Sequence, residues 1–286
     1  MNGHPQWDQR DLTELLSLEP VTASSWRSHV CDANIHGQVF VGQLLGQALW
    51  AAAQTCQGRC PTSLQVTFLN RAAPQQPVEF SVDTLRDGQR LSRRLMHGVQ
   101  GDGLILSANA GFQVAQAEAP PRPARPRQMP PPESLPTLPQ VCAHDLRQSR
   151  HLQLRCSKAP LLDIRPVPCS EDQASVNYWM RLVPPLAGEG VLHHAALAYM
   201  SCSWLPAELL SQSGTEVPDL HWQISTLNHS LWFHSQTLNT NDWLLFASEA
   251  VVDHGGRSLV RTHIYQSDGR LLASMAQDLL AVARTA

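Results

Sequence analysis

The chain carries several groups that could do chemistry, and their spacing narrows the options. Thirteen histidines invite a metal site. His193 and His194 are adjacent, and His229 and His234 flank one apolar run, but no helical H-x-x-x-H pair with a third ligand occurs. The seven cysteines are Cys31, Cys56, Cys60, Cys142, Cys156, Cys169 and Cys202. They form no C-x-x-C pair, so zinc and redox motifs are not indicated, and reduced, partly buried thiols are expected. No metal is expected. Gly42-Gln43 opens a small-residue helical pattern, where free N–H groups can receive a carbonyl oxygen. Gly42 and Gly46 can instead serve close packing, and the two roles are compatible. Trp204, Trp232 and Phe233 read as core or as the wall of an apolar tunnel.

The elements that must position such groups follow a repeated order. Val41–Gln54 has helical spacing, with Val41, Leu45, Ala48, Leu49 and Ala52 on one face. Strand-like alternation follows at Leu64-Val66-Phe68 and at Val78-Phe80-Val82, with further runs at Leu91–Val99 and Leu104–Val114. The second half places a small-residue helix at about His194–Trp204. Strand-like runs follow at 221–234, 242–252, 258–266 and 271–283. At an offset of 166, Phe80 matches Phe246, Asp87 matches Asp253, Gln100 matches Gln266, and Asp102-Gly103 matches Asp268-Gly269. Leu106 matches Leu272 and Ala110 matches Ala276 at the same offset. The shared Asp-Gly is a hairpin signal, and the repeated order of elements points to a duplicated unit.

Between the halves, residues 118–140 hold nine of the 21 prolines. Proline lacks a backbone donor and fixes φ, so this stretch is expected to contain neither helix nor central strand. The expected organisation is a first domain at 1–117, a Pro-rich linker at 118–150 and a second domain at 151–286. One helix followed by antiparallel strands, twice, is an α+β pattern.

Composition excludes several classes. Apolar residues make up 43% of the chain, enough for a real core, and the formal net charge is −3 with no like-charge block. Nucleic acid is therefore not an expected partner. No run approaches the ~20 apolar residues of a membrane span. The polar start suggests no secretory leader, so a cytoplasmic protein is expected.

Read in order, several segments resemble the acyl-CoA thioesterase II (TesB-like) family. They are VFVGQLLGQALWAA (Val39–Ala52), FLN (Phe68–Asn70), LRDGQRLSRR (Leu85–Arg94) and GFQ (Gly111–Gln113) in the first half. The second half has DIRPV (Asp163–Val167), YWMR (Tyr178–Arg181), LAYMS (Leu197–Ser201), TLNHSLWFH (Thr226–His234), DWLLF (Asp242–Phe246) and SDGRLLASMAQ (Ser267–Gln277). The resemblance implies a double hotdog: two fused domains, each an antiparallel sheet wrapped around a central helix. It implies hydrolysis of acyl-CoA, or another acyl thioester, to free acid and thiol, with no metal or organic cofactor. A homo-oligomer is expected, because hotdog sheets have edges that pair.

The family positions a water with an Asp, a Ser/Thr and a Gln. Carried over, Thr226 is the hydroxyl and Gln277 the amide. Cys202 stands where the Asp is expected. Asn228 replaces a second Asp and is expected to assist. Gly42, Gln43 and His229 are expected to bind substrate. The family's two first-half histidines are replaced within Thr62–Leu69. Each exchange removes an ionisable group. A positioned base contributes 10²–10⁴-fold, so reduced or altered hydrolysis is expected unless a carboxylate such as Glu208, Glu249 or Asp253 reaches Thr226. The rival reading is a non-catalytic acyl-CoA or acyl-binding protein. Enoyl hydration ranks last, because no His with a carboxylate stands at the expected helix position.

Overall fold

The structure is a computed structural model. It describes residues 4–34, 36–116, 129–144, 161–168, 175–188, 190–203 and 222–283. In the first half, α1 (Leu12–Leu16), β1 (Glu19–Thr22) and β2 (Ser25–Arg27) precede α2 (Val41–Gln54). Four strands follow: β3 (Arg59–Phe68), β4 (Glu79–Asp87), β5 (Leu91–Gln100) and β6 (Gly103–Val114). Next come a 3-10 turn at Pro132–Ser134 and α3 (Leu138–His144). The second half contains β7 (Leu162–Pro166), β8 (Ser175–Leu182), α4 (Val191–Met200), β9 (Trp222–Phe233), β10 (Leu244–His254), β11 (Arg257–Gln266) and β12 (Leu271–Ala283).

All strands join one twelve-stranded antiparallel sheet in the order β1-β2-β4-β5-β6-β3-β9-β12-β11-β10-β8-β7. The order is its own mirror image about the β3–β9 joint, so each half repeats the other. The 166-residue offset falls on structurally equivalent strands, β4 on β10, β5 on β11 and β6 on β12. The structure adds β1, β2, β7 and β8; β1, β2 and β7 are too short to show alternation, and in β8 the buried Trp179 interrupts it. The halves meet through register pairs such as Leu64↔Leu231, Val66↔His229 and Thr67↔Asn228.

The two long helices pack together inside this sheet. Their nearly all-round burial follows from small side chains: α4 is buried from His193 to Met200, and α2 over most of its length. Glycine is required at the crossing. A Cβ on Gly46 would lie 2.9 Å from the Ala195 carbonyl, and one on Gly42 would lie 2.6 Å from the Tyr199 carbonyl. One apolar core runs through both halves, from Leu15 and Leu45 to Leu197, Leu231 and Phe246.

The proline-rich stretch differs from expectation. It contains the 3-10 turn and α3, both within 118–150. Pro139 is the second residue of α3, where its missing N–H breaks no helical bond. Thr137 and Gln140 form a reciprocal cap: the Thr137 N–H donates to Gln140 Oε1, and the Gln140 N–H donates to Thr137 Oγ1. The segment also docks. Trp179 Nε1 donates to the Pro130 carbonyl and Arg165 to the Leu135 carbonyl. Leu135 is buried with Trp179, Leu245 and Tyr265 in a small second cluster.

Candidate functional site

The expected hydroxyl, amide and thiol converge. Gln277 sits on β12 with its side chain on the helix-facing side, fully buried. Its Nε2 donates to Thr226 Oγ1 at 3.0 Å and to Cys202 Sγ at 3.6 Å. Cys202 Sγ lies 4.0 Å from Thr226 Oγ1. The Thr226 oxygen accepts from Gln277, so its own proton is left to donate. Cys202 is buried and Thr226 half-buried, so Thr226 is the most exposed of the three.

A β-bulge makes this convergence geometrically allowed. On β9, Asp278 pairs with Asn228 and Leu279 with Thr226, so Leu227 is an extra residue without a partner on β12. Strict alternation from His229 would turn Thr226 outward. The bulge turns both Thr226 and His229 inward instead. It also settles Asn228. That residue is exposed on the outer face, where its Nδ2 donates to Asp278 and its Oδ1 accepts from Thr67. The expectation that Asn228 assists at Thr226 is therefore corrected: the bulge and the pleat put it on the opposite side of the sheet.

Cys202 lies just beyond α4, in a turn where its N–H reaches the Tyr199 carbonyl at 3.4 Å. This is the carbonyl end of the helix dipole, which gives a thiolate no help. His229 is fully buried, with Nε2 3.0 Å from Ser201 Oγ. Burial alone pushes its pKa down to about 3, so the imidazole is neutral at pH 7. Tyr178 on β8 stacks on Phe246 with centroids 5.0 Å apart. Burial first, and then the proximity of Cys202, raise the Tyr178 phenol above its ordinary pKa, so it stays protonated.

The start of α2 abuts the same turn, because the Tyr199 carbonyl next to Gly42 is the one Cys202 bonds. The N-cap residue Phe40 provides no side-chain cap. The Gln43 and Leu44 N–H groups bond the Phe40 carbonyl, so the donor capacity left beside the cluster is that of the Val41 and Gly42 amides. Gln43 is not the free donor expected: its N–H bonds the Phe40 carbonyl at 3.0 Å, and its side chain serves the fold. It is buried, its Oε1 accepts from the Asp32 N–H, and its Nε2 donates to the Val30 carbonyl and to Gln47. These bonds fix the loop before α2, so its side chain is committed to the fold rather than offered to a ligand.

Glu249 is exposed and ion-paired with Arg261 at 2.7 Å. Glu208, Trp204 and the Asp253 side chain lie outside the described residues. Among the described residues no carboxylate hydrogen-bonds to Thr226 or Gln277. Trp232 faces outward and is 42% exposed, so it is not a tunnel wall, while Phe233 is buried. His193 and His194 are buried and bond Thr240, Gly188, Gly190 and Ser235. Among the described residues no group of three or more His, Cys, Asp or Glu side chains could hold a metal ion, and no helix is long and apolar enough to cross a membrane. Cys31, Cys56 and Cys202 are buried reduced cysteines and Cys60 is a half-buried one. Sequence reasoning did not single out Ser201 or Tyr178 as site neighbours. The LAYMS and YWMR segments held them, but nothing in the spacing marks a side chain as facing a neighbouring strand.

Comparison with known proteins bears on the family and the fold. Residues 32–113 match the acyl-CoA thioesterase N-terminal domain, and residues 123–281 match the acyl-CoA thioesterase C-terminal domain. Human acyl-coenzyme A thioesterase 8 is 30% identical over 96% of this chain and 91% of its own length. Acyl-CoA thioesterase 2 of Haemophilus influenzae is 26% identical, covering 94% of this chain and 96% of the relative. Among solved structures, the acyl-CoA thioesterase II TesB2 of Mycobacterium marinum superposes with a TM-score of 0.76 at 28% identity, over 96% of this chain and 98% of that one. A hot dog fold protein of unknown function from Alicyclobacillus acidocaldarius gives 0.75 at 18% identity, over 96% and 98%, which bears on the fold alone. Two family domains in tandem, a mirrored twelve-stranded sheet around two helices and full-length relatives at this identity lead to one conclusion: the chain belongs to the acyl-CoA thioesterase family and is a double hotdog.

Proposed function

We propose that this protein hydrolyses acyl-CoA to free acid and CoA at the Cys202–Thr226–Gln277 cluster. The observation that carries the reading is the 3.0 Å bond from Gln277 Nε2 to Thr226 Oγ1. It fixes a hydroxyl at the half-buried edge of an otherwise buried cluster. The Thr226 proton and the first amides of α2 are donors for the acyl oxygen as it becomes an oxyanion. A water attacks the acyl carbon, the C–S bond breaks, and the water's proton ends on the CoA sulfur. Cys202 contributes shape rather than charge, and this distinguishes the site from one built on a carboxylate.

Units at 1–117 and 151–286, joined by 118–150, a cytoplasmic setting and a homo-oligomer complete the proposal. The exposed Trp232 on the outer face is what supports association. The second reading, an acyl-CoA or acyl-binding protein without turnover, is favoured by Cys202 alone.

The test is free-thiol release from short- to long-chain acyl-CoAs by wild type, Thr226→Ala and Cys202→Asp. Turnover that Thr226→Ala reduces by 10²-fold or more supports hydrolysis at this site. No turnover in wild type, with turnover appearing in Cys202→Asp, would leave the binding reading in its place.

A further inference from the structure

His229 lies three residues beyond Thr226 on β9, and the bulge at Leu227 turns both inward. Its Nε2 stands 3.0 Å from Ser201 Oγ. That hydroxyl has a single proton, which it donates to the Ala198 carbonyl at 2.8 Å. Nε2 must therefore carry the imidazole hydrogen, and Nδ1 a lone pair. Nδ1 is buried with no hydrogen-bond partner. Gln277 is directly opposite His229 in the β9–β12 ladder, on the same buried face. Residues so paired have Cβ atoms about 4.5–5.5 Å apart. The amide hydrogens of Gln277 go to Thr226 and Cys202, and its Oε1 is buried without a partner. Two neighbouring buried acceptors thus each lack a donor. A buried acceptor left unpaired is costly, and one molecule of water, with two O–H groups, answers both.

We infer that His229 is the base of this site, taking through Nδ1 the proton of a water held between it and Gln277 Oε1. The inference rests on the thioesterase reading above. It supplies the group that Cys202 does not. As the water oxygen bonds the acyl carbon, its proton passes to Nδ1 and the carbonyl electron pair moves onto oxygen. When the oxyanion collapses and the C–S bond breaks, Nδ1–H gives the proton to the departing CoA sulfur. The imidazole ends neutral, and no other reactant is consumed. Desolvation is the sole cause that depresses the imidazole pKa, so the lone pair is free at neutral pH. The imidazolium formed in the step stands beside the oxyanion formed with it, and the pair is neutral as a whole.

His229→Gln tests this directly. The longer amide can still donate to Ser201, but it offers no basic nitrogen at the Nδ1 position. The expected result is a 10²- to 10⁴-fold fall in kcat for thiol release, with KM and Tm little changed. A fall of less than threefold, in an active wild type, overturns the inference and leaves the thioesterase reading standing. An inactive wild type overturns both. A second measurement does not depend on turnover. In ¹⁵N-histidine-labelled protein, the resonances missing from His229→Gln should show a protonated Nε2 and an unprotonated Nδ1. The Nδ1 signal should shift when a non-hydrolysable thioether analogue of acyl-CoA binds. The opposite tautomer, or an Nδ1 signal unmoved by the analogue, would overturn the inference.

Discussion

In the proposed mechanism Cys202 and His229 divide the work that one carboxylate would do alone. Cys202 fills a position at the carbonyl end of α4, bonded by Gln277 through sulfur, where its value is packing. Cys202→Ala is therefore expected to keep turnover within about tenfold of wild type, and iodoacetamide should not inactivate the enzyme. Loss of all activity in Cys202→Ala would make the sulfur a participant. Burial also gives His229 a thermodynamic signature. Unfolded, it titrates near the ordinary 6.5; folded, near 3. Between those values the unfolded chain binds the extra proton. Its contribution is thus complete above pH 6.5 and is lost as pH falls toward 3, at about 1.4 kcal/mol per pH unit at most. Urea melts at pH 7 and pH 5 should show a smaller acid loss for His229→Gln than for wild type; equal losses would place the depressed pKa elsewhere. At this scale the sequence was partly legible. Thr226, Gln277 and Cys202 were found from short segments and do meet. Asn228 was misplaced, because one extra residue in β9 reverses which side chains face inward, and no residue type announces a bulge at Leu227.

Helices α2 and α4 were legible as elements from their small residues, and the structure gives the reason for those residues. Gly42 and Gly46 lie where the backbone of the other helix passes. Gly46→Ala forces a methyl against the Ala195 carbonyl and the Leu16 side chain, and is expected to destabilise by about 1–3 kcal/mol. A lower Tm with unchanged KM for acyl-CoA is the expected readout; an unchanged Tm would mean the crossing has slack. Helix α3 is not legible from proline content, because a proline in the first turn of a helix is tolerated and one further in is not. Pro139 in the first turn and the Thr137–Gln140 cap are compatible with a helix start. Thr137→Ala should cost about 1 kcal/mol of local stability. Hydrogen exchange at Val141, whose N–H bonds the Thr137 carbonyl, would report it as faster exchange.

For the whole molecule, the duplication visible at the 166-residue offset becomes a single sheet and a single core. The order of elements could be read from periodicity, since alternation in half-buried strands survives in sequence. The β3–β9 joint could not, because pairing between distant strands leaves no local mark. With Leu64 facing Leu231 across that joint and core residues contributed by both halves, the two hotdogs should unfold together. Calorimetry is expected to show one transition with matching calorimetric and van't Hoff enthalpies, whereas two resolved transitions would mean the halves are independent.

In the proposed mechanism Thr226 and Gln277 act as one hydrogen-bonded unit on the attacking water and the acyl oxygen. A double-mutant cycle on kcat for thiol release tests it most directly, with Thr226→Ala, Gln277→Ala and the double variant. Each single change is expected to lower kcat by about 10²- to 10³-fold, with the double variant little worse than either. Single variants within twofold of wild type, or losses that simply multiply in the double variant, would contradict it.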